Sequence, residues 1–431
     1  MTALDPQLAD IAAIPVRPGQ STRRRSESLP HAQIMSSKRL LCKSGAMARQ
    51  LFAGRTAITG IGMTAISRES GSSPLELALE AGAAAIRDAG LDRRDIDAVL
   101  CYHMNDSAPV NHVAQLLRLP EAIWTNEFYG GGTQSASILG DAAMLIHSGT
   151  ADNVLIFRAL NGRSGKRMGQ AGLRMSDDGE QQFTMPYGMA GPVNLFALAA
   201  SRWMSDTGAT TDDLAAVVIQ SRELARHNPR ALVRTGLTRE AYDASPLIAS
   251  PLRRADCCQE TDGGAALVVS RVEIADAIRP ASPRITAVVR GGGRGASAMD
   301  KADDPSALFT EFIADKLWAT AELDPSDIDV AMIYDAYSPI VLQQIEDLGF
   351  CGRGAAGGLF RSGATLPDGE LPVNPHGGLL SEGYIHGLNN VIEAVRQLRG
   401  TSPANQVPGA RTALCTGFGG SYGSAAILRT D

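Results

Sequence analysis

Two segments of the chain, 232 residues apart, are partial copies of each other. The segment 89–102, AGLDRRDIDAVLCY, and the segment 321–334, AELDPSDIDVAMIY, are identical at seven of fourteen positions without a gap. Each copy follows an amphipathic helical pattern, and each helical pattern follows an apolar strand pattern, at 56–65 in the first copy and at 284–293 in the second. Self-similarity on this scale indicates a duplicated domain.

The pattern within each half predicts an α/β fold. Strand patterns alternate with helical patterns, which is typical of a parallel or mixed sheet covered by helices. The repeated LD…DID segment predicts a turn that leads into a buried strand. Both halves close on similar strands, GGAALVVS at 263–270 and GSAAILRT at 423–430. Residues from about 160 to 255 fall outside the repeat, and we interpret them as an inserted loop domain.

The chain therefore divides into an N-terminal half, residues 54–275, which contains the insertion, and a C-terminal half, residues 276–431. Residues 1–53 lack both a signal-peptide apolar core and helical periodicity, so we predict a disordered N-terminal extension, or a stretch ahead of a true start at Met47. This extension carries eight Lys and Arg against three Asp and Glu, a net charge of +5. Because the whole chain has a net charge of −6, the remainder carries about −11. An acidic body argues against a protein that binds nucleic acid.

The cysteines and the hydropathy further narrow the class of protein. The six cysteines form no CxxC pair and no Cys/His cluster with zinc spacing, so no metal site is predicted. Cys351 and Cys415 lie in apolar stretches, which favours reduced thiols in a cytoplasmic protein. No run of 18 apolar residues occurs, so no membrane span is predicted.

Five blocks of the chain can be compared with a known family. They read GGGTQSASILGDAAMLIHSG, DCCQETDGGAALVVS, IYDAYSPIVLQQIEDLGF, PVNPHGGLLSEGYIHGLNNVIEAVRQLRG and ALCTGFGGSYGSAAIL. In these blocks and in their order, the chain from about Gly54 to Asp431 resembles the thiolase superfamily, in its sterol-carrier-protein-type, lipid-transfer-protein-like branch. The resemblance implies the thiolase fold, in which two βαβαβ halves form a five-layered α-β-α-β-α sandwich with an inserted loop domain.

The resemblance also shows what this chain lacks. Thiolases carry a nucleophilic cysteine in a strand-to-helix turn, seventeen residues before the glycine that ends the helix. Counting back from Gly149 places Gly132 at that position. The nearby hydroxyls of Thr133 and Ser135 are displaced from it, and Ser135 lacks the GxSxG context of a nucleophile. Backbone N–H groups of such a turn, at Gly131, Gly132 and Thr133, could still bind an oxyanion of a thioester substrate.

Two further family positions hold tyrosine. In the block NPHGGLLSEGYIHG, Asn374, Gly377, Gly378 and Gly383 match the family, but Tyr384 stands where thiolases keep a histidine. Tyr334 opens the block YDAY, where relatives keep asparagine or histidine. Random loss of activity would not be expected to place tyrosine at both positions.

This substitution pattern resembles the thiolase-like side-chain aldolases of steroid degradation. A retro-aldol cleavage of a β-hydroxyacyl-CoA needs no cysteine, because no acyl group is transferred to the enzyme. It needs a base for the β-hydroxyl, donors for the enolate oxygen and an acid for the enolate carbon. Phenols suit proton exchange with alcohols, since their ordinary pKa is about 10. We predict that Tyr334 and Tyr384 transfer protons, with His376, His386 and Asp335 in supporting roles and Cys415 as a further candidate acid.

Coenzyme A is expected only as part of the substrate, with no separate cofactor. Its phosphates need cationic partners, and Arg is well suited to them. The insertion is rich in basic residues near its start, and the glycines of the family blocks allow close approach of a ligand. The residues predicted to bind CoA are Arg158, Arg163, Lys166, Arg167, Gly131, Gly132, Thr133, Gly377 and Gly378.

Two other functions stay open at this point: an acyl-CoA acyltransferase that uses Cys415 or Ser135, and a non-catalytic subunit that binds acyl-CoA or lipid. The resemblance implies a homodimer through the N-terminal half and a possible small partner with an OB fold and a zinc ribbon. The identity of the acyl group and the order of the two tyrosines are not fixed by the sequence.

Overall fold

The computed structural model describes residues 54–120, 123–165, 167, 181–189, 191–293, 302 and 304–430. The predicted N-terminal extension, residues 1–53, lies outside the described residues. The strands are β1 Thr56–Met63, β2 Ala98–His103, β3 Trp124–Tyr129, β4 Asn153–Asn161, β5 Leu247–Ala249, β6 Leu252–Arg253, β7 Asp262–Arg271, β8 Arg284–Gly292, β9 Val330–Met332, β10 Thr412–Phe418 and β11 Tyr422–Arg429. The helices are α1 Pro74–Ala89, α2 Val110–Leu116, α3 Ser137–His147, α4 Gln181–Thr184, α5 Pro192–Thr207, α6 Thr211–His227, α7 Arg239–Asp243, α8 Val272–Ile278, α9 Phe309–Ala321, α10 Ser338–Asp347, α11 Ala356–Ser362, α12 Gly378–Ser381 and α13 Leu388–Arg399.

The strand order repeats in the two halves. Nine of the described strands form one sheet in the order β3-β2-β4-β7-β1-β8-β11-β10-β9, and β5 and β6 form a separate pair. In the first half β7 pairs antiparallel with β1 and β4, and β2 pairs parallel with β4 and β3. In the second half β11 pairs antiparallel with β8 and β10, and β10 pairs parallel with β9. A parallel bridge from Val373 to Ala331 stands where the first half has β3. The predicted duplication is confirmed.

Helices cover both faces of the strands and also separate the two halves. Helix α1 packs on β1, β4 and β7, whereas α9 packs on β8 and β11. Helices α3 and α13 contact strands of both halves, so they form the middle layer. Three apolar cores correspond to these layers: one under α1, one around α3 and α13, and one under α9. This is the predicted five-layered thiolase arrangement.

The repeated LD…DID motif makes the same contacts twice. In both copies the first Asp opens a short 3₁₀ turn, and its amide donates to the next Asp of the motif. The last Asp of each copy, Asp97 or Asp329, accepts two backbone amides at the start of the neighbouring strand, β4 or β10. The motif thus ends a helix and joins two parallel strands, and Tyr102 and Tyr334 stand at the same position beyond it.

The insertion packs largely on the second half. Between β4 and β7, helix α6 begins at a capping box formed by Thr210 and Asp213 and contacts α10, α11 and α12. Through these contacts it supports the segment that precedes Tyr384. Within the described residues, no helix has the combined length and apolar character that crossing a bilayer would need.

Candidate active site

Tyr334 and Tyr384 meet through their hydroxyl groups. The Tyr334 hydroxyl donates to the Tyr384 hydroxyl over 2.9 Å, and the two rings lie edge to face with centroids 6.3 Å apart. Tyr334 follows β9 and is 2% exposed, whereas Tyr384 lies between α12 and α13 and is only half-buried. The sequence-predicted pair is therefore one unit, with Tyr384 as its more accessible member.

The backbone of Tyr384 is fixed by Thr261. The Tyr384 amide donates to the Thr261 hydroxyl over 3.0 Å, and that hydroxyl donates to the Tyr384 carbonyl over 2.9 Å. Thr261 belongs to the ETDGG block directly before β7. A family block of the first half thus positions a tyrosine of the second half.

Both phenols are neutral at ordinary pH. Burial raises the pKa of Tyr334 well above its usual value, and the adjacent Tyr384 raises it further. Burial also raises the pKa of Tyr384, as does the nearby Cys258, while the hydrogen bond from Tyr334 and the charge of Arg158 act in the opposite direction. A hydrogen bond that is accepted favours the ionised form. Of the two, Tyr384 has the neighbours that would stabilise a phenolate.

The glycine turn leaves room for one of these phenols. Strand β3 runs into Gly130 and Gly131, a 3₁₀ turn covers Gly132–Gln134, and α3 follows. A Cβ atom added to Gly132 would overlap the hydroxyl end of the Tyr334 ring. Tyr334 therefore occupies the space into which a side chain at the nucleophile position would project.

The hydroxyl groups near the turn have structural partners. Ser135 is buried, and its hydroxyl donates to the Gly132 carbonyl over 2.9 Å. The Thr133 carbonyl accepts from the Ser424 hydroxyl over 2.7 Å. Ser135 thus closes the turn, as a capping residue would, and its geometry gives no support to a nucleophilic role.

His386 lies against the tyrosine pair. Its ring packs edge to face on Tyr384 with centroids 4.7 Å apart, and its Nδ1 accepts from Arg158 Nε at 3.0 Å and Nη2 at 2.6 Å. The same guanidinium pairs with Asp106 at 2.7 Å. Burial and the charge of Arg158 lower the pKa of His386 to about 3, although Asp106 acts in the opposite direction.

Arg158, which the sequence predicts to bind CoA, has partners inside the protein, and its binding of CoA stays a prediction. Strand β4 extends to Asn161, so Arg158 belongs to the strand and not to the inserted loop. Its side chain is fully buried, and its donors are taken by His386, Asp106 and the Ala159 carbonyl.

Asp335, Gly377 and Gly378 form the support behind the pair. The Asp335 carboxylate accepts the amides of Leu379 and Leu380 at 2.9 and 3.1 Å, and burial raises the pKa of Asp335 to about 6. A Cβ at Gly378 would overlap that carboxylate, and one at Gly377 would come within 2.7 Å of the Ala225 side chain. Both glycines are buried at positive φ. The structure thus gives both glycines a packing role, and their binding of CoA stays a prediction.

His376 and Cys415 lie away from the phenols. His376 Nε2 is 3.2 Å from the Asn390 side-chain oxygen and 3.8 Å from Glu382, inside a buried polar cluster. Cys415 pairs with Ala426 in the sheet and packs in the apolar core around α3 and α13, where burial raises the pKa of its thiol. The contacts of the described residues connect neither side chain to Tyr384.

Two basic residues of the predicted CoA site lie at the surface near one carboxylate. Arg167 pairs with Glu260 at 2.6 Å, and Arg163 lies 3.9 Å from the same group. Lys166 lies outside the described residues. Among the described residues, no group of three or more His, Cys, Asp and Glu side chains is placed to hold a metal ion.

Sequence reasoning missed three members of the site: Tyr102, Asp106 and Cys258. Tyr102 donates to the His386 carbonyl over 2.9 Å, and the repeat could have indicated it, since it stands where the second copy has Tyr334. Asp106 has no such signal. Cys258 packs against the same apolar core as Tyr384 and raises the pKa of that tyrosine.

Comparisons with known proteins found similar sequences and similar structures. Residues 295–429 match the family described as thiolase C-terminal domain-like. The chain is 37% identical over 387 residues to a 17-hydroxy-3-oxo-4-pregnene-20-carboxyl-CoA lyase of Mycobacterium tuberculosis, an alignment that covers 88% of this chain and 100% of the relative. It is 39% identical over 393 residues to a steroid side-chain-cleaving aldolase of Thermomonospora curvata, covering 88% of this chain and 98% of the relative. The solved Ltp2-ChsH2(DUF35) aldolase aligns with a TM-score of 0.81 and 36% identity over 88% of this chain and 98% of that one.

Proposed function

Because the chain belongs to the thiolase superfamily, together with the steroid side-chain-cleaving aldolases, we propose that it cleaves a steroid β-hydroxyacyl-CoA ester by a retro-aldol reaction. The products are a 17-keto steroid and a shorter acyl-CoA. The observation that carries the proposal is the hydrogen-bonded pair of Tyr334 and Tyr384, with a phenol in the space over Gly132.

The reaction requires a proton to leave the β-hydroxyl group. We assign this step to the ionised form of Tyr384, whose own proton has first been lost to solvent. Tyr384 is the more accessible phenol, and it accepts the hydrogen bond of Tyr334, which favours its phenolate. As the β-oxygen becomes a carbonyl, the bond between the α- and β-carbons breaks and its electron pair passes into the thioester enolate. The transferred proton converts Tyr384 to the neutral phenol, and its uptake by the enolate carbon regenerates the phenolate. No acyl group is attached to the protein at any step.

The acyltransferase alternative finds little support in the contacts. The Ser135 hydroxyl is bonded to the backbone, and the Cys415 thiol packs in an apolar core where its pKa is raised. A nucleophilic cysteine needs a lowered pKa or an adjacent base.

The substrate also contributes the coenzyme, so no separate cofactor is proposed. The basic side chains at Arg163, Lys166 and Arg167 are candidates to bind the CoA phosphates, since two of them lie at the surface. The amides of Gly131, Gly132 and Thr133 remain candidates for the thioester oxygen.

Partner proteins are part of the proposal. Strand β3 is an edge strand with Trp124 and Tyr129 at its ends, which are 50% and 67% exposed. Such an edge suits pairing with a second copy, so we propose a homodimer through the N-terminal half. The solved aldolase is named as a complex with a DUF35 protein, and we propose a similar small partner for this chain, in the cytoplasm.

The test is a product analysis with the purified chain, alone and with a candidate DUF35 partner. A 17-hydroxy steroid side-chain CoA ester should give equal amounts of the ketone and the shorter acyl-CoA, with no change in the intact mass of the protein. A burst of free CoA with an acylated protein would identify an acyltransferase. Binding of the ester without turnover, in both preparations, would identify a non-catalytic subunit.

A further inference from the structure

The proton on the His386 ring has a fixed position. Arginine has only donors on its guanidinium and stays protonated in proteins. Both Arg158 Nε and Nη2 lie within hydrogen-bond distance of His386 Nδ1, at 3.0 and 2.6 Å. Nδ1 must therefore accept with its lone pair, and the hydrogen of the neutral ring is on Nε2. The tautomer follows from the identity of the partner and does not depend on an assumed hydrogen position.

The groups around His386 keep the ring neutral. Arg158 of β4 faces it, Asp106 lies behind Arg158 in the segment after β2, and Tyr102 and Tyr384 contact it with neutral phenols. The lowered pKa of about 3 agrees with this arrangement, since burial and the guanidinium both oppose a second proton. His386 thus differs from an ordinary histidine, which titrates near neutral pH.

The Nε2 edge of the ring faces the glycine turn. The position that a Cβ of Gly131 would take lies 3.3 Å from His386 Nε2. His386 has a φ of 47°, in the left-handed region, and its carbonyl is held by the Tyr102 hydroxyl over 2.9 Å. A non-glycine residue in this region needs support from its surroundings. The backbone and the side chain of His386 are thus both held in an orientation that presents Nε2 to the turn.

We propose that His386 is a permanently neutral donor whose Nε2–H binds the thioester oxygen of the substrate at the glycine turn, and that Arg158 is the positioning residue that fixes its tautomer. This inference rests on the proposed function. In the retro-aldol step the electron pair of the broken C–C bond enters the thioester group, and the oxygen gains negative charge. A preorganised N–H near that oxygen stabilises the charge without giving up its proton. His386 is then a donor and not a base.

The tautomer can be measured in the substrate-free protein. With ¹⁵N-labelled histidine, long-range ¹H–¹⁵N correlations distinguish the two neutral tautomers from imidazolium, and the His386→Gln spectrum identifies the signals of His386. We expect Nε2–H and no titration between pH 5 and pH 9. A protonated ring, an Nδ1–H tautomer, or a midpoint within that range would overturn the proposal.

Two amide substitutions test the donor role during turnover. The glutamine amide nitrogen reaches about as far as Nε2, whereas the asparagine nitrogen reaches only about as far as Nδ1. His386→Ala should lower kcat by about 10²- to 10³-fold, as expected for the loss of an oxyanion donor. His386→Gln should exceed His386→Ala by at least about tenfold, and His386→Asn should not. Equal activity of the Gln and Asn variants would contradict the proposal, with thermal unfolding and binding of the CoA ester measured on each as controls for folding.

The role of Arg158 is tested in the double variant Arg158→Met with Asp106→Asn, which removes the ion pair as a unit and leaves no unpaired charge buried. Burial still keeps the His386 ring neutral in this variant, but without the donors of Arg158 its signals should show the Nδ1–H tautomer or a mixture of the two neutral tautomers. An unchanged, non-titrating Nε2–H signal would show that Arg158 does not set the tautomer.

Failure of this inference can be distinguished from failure of the proposed function. If the wild-type protein cleaves no β-hydroxyacyl-CoA ester, the proposed function fails. If the wild-type protein is active but His386 has the other tautomer, or the His386→Gln and His386→Asn variants are equally active, only this inference is contradicted.

Discussion

Tyr102 and Tyr334 stand at the same position of the internal repeat and have different partners. Tyr102 follows the first copy of the LD…DID motif and donates to a backbone carbonyl, that of His386, over 2.9 Å. Tyr334 follows the second copy and donates to the hydroxyl of Tyr384 over 2.9 Å. The carbonyl can only accept, whereas the second phenol can also exchange its proton. The tyrosine of the first copy therefore has a structural role, whereas the tyrosine of the second copy is part of the pair that transfers protons.

The asymmetry comes from one segment, residues 383–387, which passes between the two halves and supplies both partners. The fold is duplicated, but this segment has a single copy in the site, so the two tyrosines bind different groups of it. The repeat determines where a phenol lies, and the contacting segment determines what that phenol can do. Substitutions on either side of the segment should therefore have unequal effects.

The largest effect is expected at Tyr384, the phenol that Tyr334 contacts and for which Tyr102 has no equivalent partner. Tyr384→Phe removes the group assigned to proton transfer and should lower kcat about 10³-fold, within the range of general acid–base catalysis. Single-turnover cleavage of the CoA ester measures this. Tyr187→Phe, which removes a phenol that is 85% exposed, is the matched control and should stay near wild type. Near-normal turnover of Tyr384→Phe would remove the basis of the mechanism.

Tyr334→Phe should have the next largest effect. It leaves the ring over Gly132 but removes the hydrogen bond to Tyr384, so the phenolate of Tyr384 loses its stabilising donor. We expect kcat to fall about 10²-fold, which corresponds to about 2.7 kcal/mol, with little change in folding. The pH–rate profile should also shift to higher pH, because a donor that favours the ionised Tyr384 is gone. A rate within threefold of wild type would place Tyr334 with Tyr102 as a structural phenol.

Substitution of Gly132 tests whether the Tyr334 ring occupies the space that a side chain at position 132 would need. Gly132→Ala should destabilise the protein by about 1–3 kcal/mol through overpacking. In a Tyr334→Ala background the same substitution should cost clearly less, because the overlapping ring is gone, and the difference is the coupling energy of a double-mutant cycle. Denaturant unfolding of the four proteins measures it. Equal costs in both backgrounds would show that Tyr334 does not exclude a side chain at this position.

Much of this arrangement could be predicted from the sequence, because it depends on local patterns. The repeat predicted two equivalent halves, and the identical Asp97 and Asp329 make identical backbone contacts. The two tyrosines could be predicted from their positions in family blocks. The sequence analysis placed Arg158 in the inserted loop, whereas it lies in β4, because a count of basic residues does not show where a strand ends. Its partner His386 is 228 residues away, and only packing brings them together.

The smallest effect is expected at Tyr102, the structural member of the compared pair. Tyr102→Phe leaves the ring in place and removes the donor to the His386 carbonyl, a buried acceptor whose loss of a partner costs about 1–3 kcal/mol. Unfolding in denaturant should show this loss, while kcat should fall less than about fivefold, because the Arg158 contact still orients the ring of His386. The comparison with Tyr334→Phe is decisive, since the two variants delete the same atom at equivalent positions. If Tyr102→Phe lowers kcat as much as Tyr334→Phe does, the division between a supporting half and a chemical half is wrong, and the segment 383–387 must be treated as a single unit held equally from both sides.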